Sequence, residues 1–189
     1  MTALAERLSR LLARIAGFAI LGSALMITVE VVARKLFATS LIGADEISGY
    51  ILAITVTWGA SLALIRRAHV RIDVVHAQVP AALRSVLDLV ALVSLLSVTL
   101  LFAWFATRLL RTNIRTGAVS NTPMEVPMWI PQSLWVAGWW VFAAVTLIVI
   151  VATVGALIRR DLPAAQKLSG VRGALEEAGE ELADAKSRR

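Results

Sequence analysis

The sequence predicts an all-α integral membrane protein with four membrane-spanning helices. Three observations carry that expectation. Of the 189 residues, 58% are hydrophobic and only 17% charged, whereas a soluble domain carries about a quarter charged residues. Mean hydropathy is +0.77. Apolar runs near or above the ~18 residues that a spanning helix needs recur along the chain. A net charge of +6 would point to nucleic acid in a soluble protein, but here the basic residues stand at the ends of apolar runs, as topology signals do. The sequence contains no cysteine, which excludes disulfides, thiolate metal sites, covalent c-type haem and cysteine nucleophiles.

Residues 1–14 read as a short amphipathic segment. Leu4, Leu8, Leu11 and Leu12 share one face, while Glu6, Arg7, Arg10 and Arg14 reach headgroups. Arginines ahead of an apolar run imitate a secretory signal, and Gly22-Ser23-Ala24 imitates a weak cleavage site. The apolar run continues past it to Val29, too long for that reading, so an uncleaved first span is expected over about 15–35. It closes on Arg34-Lys35, cations suited to a helix C-terminus. The second span, about 45–66, opens on Asp45-Glu46, which complement the helix dipole, and ends at Arg66-Arg67. The loop after it carries His69, Arg71, Asp73 and His76.

A third span is expected over about 83–107, with Arg84 and Asp88 in its first turns. Arg108, Arg111 and Arg115 follow on one helical face, so the helix is expected to project beyond the bilayer until Gly117 stops it. Pro123, Pro127 and Pro131 mark the approach to the fourth span, 131–158, and no residue from Val126 to Ile158 is charged. Trp129, Trp135, Trp139 and Trp140 gather at that approach, as an aromatic belt would. Residues 159–189 read as a polar cytoplasmic tail, leaving 15–158 as a single four-span membrane domain. With four spans, 14 Lys/Arg residues fall on the side of both termini and 5 on the other. The N-terminus and C-terminus are therefore expected in the cytoplasm.

Enzyme constellations are missing from the sequence. The two histidines lie in one loop, away from any depth at which they would hold a haem, and the serines of the spans have no histidine at matching depth. No reaction is indicated, and no cofactor or metal site is expected. Ionisable residues inside spans are the better lead, because they are expensive there. Glu30 lies late in the first span with Arg34 four residues on, the favourable i,i+4 order. Either the two neutralise each other, or Glu30 faces a neighbouring helix or partner subunit. Asp88, expected in the first turn of its helix, is accounted for by the helix dipole and by Arg84 at i−4. Gly59-Ala60-Ser61 and Ala63 allow close helix approach, and Trp58 beside them suggests packing. No span has the Gly/Pro-interrupted centre of a transporter's substrate site, so a helical scaffold is expected.

Several stretches together resemble a known family. Glu30-Val31-Val32-Ala33-Arg34, Asp45-Glu46 with Tyr50, Trp58-Gly59-Ala60, the run Arg66-Arg67-Ala68-His69-Val70-Arg71-Ile72-Asp73, and Thr122-Pro123-Met124-Glu125-Val126-Pro127-Met128-Trp129-Ile130-Pro131 are similar, in order and spacing, to the DctQ-like small permease subunit of TRAP (tripartite ATP-independent periplasmic) transporters. The resemblance covers roughly residues 15–158. It departs from the family at Gly43, where Trp is common, at Gly49, at Ala68 and at Glu125.

The resemblance implies a multi-pass protein of the bacterial inner membrane that pairs with a large permease subunit. That subunit holds the sodium and substrate sites, and a periplasmic binding protein delivers an organic anion such as a carboxylate. Glu30, Arg34, Asp45, Glu46, Trp58, Gly59, Arg67, His69 and Asp73 are then candidates for subunit contact or structure, and Arg108, Arg111 and Arg115 for docking the binding protein. Two other four-span classes fit the sequence less well. A small multidrug-type transporter is shorter and carries its acidic residue mid-span; a membrane anchor of a redox complex would need histidines within its spans.

Overall fold

The computed structural model describes residues 3–39, 43–66, 80–159 and 161. Four helices account for nearly all of them: α1 (Ala3–Phe37), α2 (Ala44–Ile65), α3 (Ala81–Thr116) and α4 (Trp129–Ile158). Each contains a stretch long and apolar enough to cross a bilayer. Among the described residues there is no strand, only an isolated antiparallel bridge between Val119 and Pro127. The all-α, four-span expectation holds.

Helix ends follow local chemistry. Gly43 takes a left-handed φ of +87° just before α2, and its carbonyl accepts the Ile47 amide at 2.9 Å. Pro80 precedes α3, where its missing N–H is harmless, and its carbonyl accepts the Arg84 amide at 3.0 Å. At the other end of α3, Gly117 adopts φ +62° and the Ala118 amide returns to the Asn113 carbonyl at 3.0 Å. That six-to-one bond around a left-handed glycine is a Schellman stop. Helix α3 therefore continues through Arg115, with its stop where the sequence places it. The fourth helix starts at Trp129, two residues before the expected boundary. Pro131 then falls in its first turn, where proline is tolerated.

One expectation needs correcting. Because α3 begins at Ala81, Asp88 lies in its second turn and not in its first. The dipole acts mainly within the first turn, so it accounts for Asp88 less well than the sequence suggested. The side chain is 1% exposed, between Ser85 and Leu92 on the same face.

Contacts divide the chain into two compact units: residues 1–62 with 97–144, and residues 63–96 with 145–189. In the second unit the buried positions include Leu64, Ser85, Asp88, Leu92, Thr146 and Thr153. In the first they include Ser23, Glu30, Ser48, Thr57, Thr99, Ala103, Ala106, Val136 and Phe142. Many of these buried positions are polar, and threonines along the helices bond within their own helix. The hydroxyls of Thr28, Thr57, Thr107, Thr112, Thr116 and Thr153 each donate to the carbonyl four residues back, at 2.7–3.2 Å.

Helix seams in the first unit are tight where α4 meets α2 and α3. A Cβ at Gly138 would lie 2.8 Å from the Cβ of Thr57 and 3.0 Å from Cδ1 of Trp58. The Trp58 indole donates to the Leu134 carbonyl at 3.0 Å. Across the other seam Phe102 stacks on Trp139 with centroids 5.1 Å apart, Trp140 donates to Thr107 at 3.0 Å, and Asn113 donates to Gln132 at 2.9 Å. The tryptophans expected as a belt are thus in part seam residues. Within this chain the close helix approach falls at Gly138, whereas a Cβ at Gly59 would meet nothing within 4 Å.

Candidate functional site

The most connected polar site lies where the loop between α3 and α4 meets the start of α2. Thr122-Pro123-Met124-Glu125 forms a turn closed by the Glu125 amide donating to the Thr122 carbonyl at 3.0 Å. Proline at its second position presets φ, while Glu125 takes the left-handed φ of +46°. Strand-like bonds flank the turn: the Ser120 amide donates to the Val126 carbonyl at 2.9 Å and the Met128 amide to the Ala118 carbonyl at 3.0 Å. Pro127 sits in the bridge opposite Val119 and donates nothing, as an edge position allows.

A relay of hydroxyls ties this loop to α2. The Val126 amide donates to Ser120 Oγ at 3.0 Å, and Ser120 and Thr122 hydroxyls are 3.0 Å apart. Thr122 in turn donates to one carboxylate oxygen of Glu46, and Tyr50 donates to the other. The Tyr50 oxygen also lies 3.5 Å from the Met128 sulfur. Bonds to a charged acceptor are stronger than neutral ones, and Glu46 stands in the first turn of α2, where the helix dipole favours its charge. Met124 seals the joint. A Cβ at Gly43 would lie 2.7 Å from Met124 Cγ; the room a larger residue would take at position 43 is filled from the loop by Met124.

The predicted residues separate into groups. Glu46 and Trp58 make the contacts just described. Glu30 and Arg34 form the expected pair at 3.2 Å, with the glutamate side chain 3% exposed and the arginine 57%. The acid therefore points into this chain, and Arg34 is the member that a partner would meet. Asp45 is exposed in the first turn of α2. Arg108, Arg111 and Arg115 are exposed on the last turns of α3, close in sequence to exposed Ile114, Val119, Met124, Trp129 and Ile130. Arg67, His69 and Asp73 lie outside the described residues. Among the described residues no three His, Asp or Glu side chains converge as a metal site would require.

Sequence reasoning noted Tyr50 beside Asp45-Glu46 but missed that it clasps Glu46, although i,i+4 spacing places the two on one face. It also missed Thr122 and Ser120, for which only the tertiary fold supplies the partner. The polar pair Asn113 and Gln132 carried a usable signal: two amides standing just outside apolar runs at opposite ends of one loop.

Four continuous helices, each long and apolar enough to cross a bilayer, are the architecture of a polytopic membrane protein. The chain matches the family model described as Tripartite ATP-independent periplasmic transporters, DctQ component, over residues 23–159. It belongs to that family, as the small permease component of a TRAP transporter. The match runs from the middle of α1 to the end of α4 and so includes Glu30, the Glu46 clasp and the three arginines. No curated protein matches the chain, and no solved structure does. Membership displaces the multidrug and redox-anchor readings.

Proposed function

We propose that this chain is the static membrane scaffold of its transporter. It pairs with the large permease subunit, which carries the sodium and substrate sites, in binding-protein-dependent uptake of an organic anion such as a carboxylate. The observation that carries the reading is the unbroken course of all four helices, with ionisable groups near their ends. Elements that bind ions at mid-membrane are typically interrupted there, so that free backbone groups face the site. No cofactor is required of this subunit. Reconstituted alone under a sodium gradient, it is expected to take up no organic acid. Joined by the large subunit and a loaded binding protein, it is expected to support sodium-dependent uptake. Uptake by the isolated chain would overturn the proposal.

The charge asymmetry supports a bacterial inner-membrane topology with both termini cytoplasmic and the loop between α3 and α4 in the periplasm. In that orientation Arg108, Arg111 and Arg115 face the binding protein. A phosphatase fused at Ala118 is expected to be active and one fused at Arg160 inactive; activity at Arg160 would invert the topology.

A further inference from the structure

Between α1 and α2 runs an open groove of about 270 Å³, and nothing described so far fills it. Its walls are small where a neighbour would press closest: Ser23 and Ala24 from α1, Ser48 and Gly49 from α2. A Cβ at Gly49 would meet nothing within 4 Å. Small residues on facing walls let another helix bring its backbone near, which is how membrane helices associate when no hydrophobic gain is available. Ser48 supplies a separate sign of an occupant. It is 5% exposed and its hydroxyl has no hydrogen-bond partner. An unsatisfied hydroxyl in an apolar environment is unfavourable, and a turn about χ1 carries it between staggered positions, bringing a polar group of a neighbour within reach.

Charge selects the kind of occupant. Asp45, at the α2 N-terminus, is exposed and lines the same groove, and among the described residues no basic side chain lines it. A phospholipid would bring its phosphate to a wall that offers one carboxylate and no cation. A protein helix with a lysine or arginine at that end would bring a complementary charge. The span of α1 is also the least covered by its own chain, 11% buried against 22% for each of the others.

We infer that this groove receives a membrane-spanning helix of the large permease subunit, one that packs a polar group toward Ser48 and a basic residue toward Asp45. The inference rests on the subunit reading above and specifies where the contact lies. The test uses membranes of cells expressing the full chain with its large subunit. A benzophenone side chain placed at Gly49 is expected to cross-link to the large subunit, and one at the exposed Leu101 is not. Gly49→Trp, which fills the groove, is expected to lower recovery of the large subunit about tenfold, with unchanged amounts of the tagged chain in the membrane. Asp45→Lys is expected to lower recovery too, and Asp45→Glu to retain it.

Cross-linking from Gly49 only to phospholipid, or only to a second copy of this chain, would overturn the inference. So would full recovery with Gly49→Trp. In those cases the subunit reading stands if the unsubstituted chain still recovers its partner. If it recovers none, the subunit reading falls and this inference falls with it.

Discussion

The first and last helices solve the same problem in opposite ways. Along α4, Gly138 lets α2 approach so closely that Thr57 and Trp58 occupy the space of a side chain, and Trp139 and Trp140 engage Phe102 and Thr107. Its contacts are made within the chain. Along α1, Ser23 and Glu30 are buried, while Gly17 and Gly22 face open space and Phe18, Leu21, Leu25 and Val29 are more than half exposed. Gly138 of α4 has a close neighbour in this chain, and Gly17 and Gly22 of α1 have none within 4 Å. Hydropathy alone does not distinguish them, because lipid and a protein interior are both apolar. The difference lies in where the small residues meet a neighbour.

The sharpest way to break this contrast is at the Glu30–Arg34 pair of α1. Replacing Arg34 with Ala takes the counter-charge from the buried Glu30 carboxylate, and loss of one member of a buried pair costs about 3 kcal/mol. Thermal unfolding in detergent is expected to show it. Glu30→Gln combined with Arg34→Gln is expected to be milder than the sum of the single changes, because the cycle removes a shared interaction. Strict additivity would mean that the 3.2 Å pair contributes nothing.

The next contrast sets glycine against glycine. Gly138→Leu forces apart a close-packed seam and is expected to destabilise the chain by about 2 kcal/mol. Gly22→Leu, on the open face of α1, is expected to stay within about 0.5 kcal/mol. Equal effects at both positions would erase the distinction between the two helices.

The smallest expected effect is kinetic. Reversing Arg108 and Arg111 to Glu changes surface charge without touching a seam. It is expected to lower uptake when binding protein is limiting, with the deficit shrinking as salt screens the encounter. A deficit that ignores salt would remove the arginines from docking.

Most of the fold was legible in the sequence because a bilayer leaves few choices: backbone groups must be satisfied within each span, so length and apolarity nearly determine a helix. The stop at Gly117 and the Glu30–Arg34 pair were readable because both are local. What could not be read were meetings between distant segments. Gly59 and Gly138 look equally suited to close packing in one dimension, and only the fold shows which has a neighbour. The Glu46 clasp needed Thr122, 76 residues away.

The threonines bear on how such a chain reaches the membrane at all. During synthesis each helix meets the lipid before its neighbours exist, so any hydroxyl that relies on another helix must wait unsatisfied. Thr28, Thr107 and Thr153 do not wait, since each bonds a carbonyl four residues behind it. To the insertion machinery such a residue is less polar than its place on a hydropathy scale. The indoles of Trp58 and Trp140 are the reverse case, for their partners Leu134 and Thr107 lie on other helices. These threonines thus satisfy themselves within one helix, whereas the two indoles fasten one helix to another.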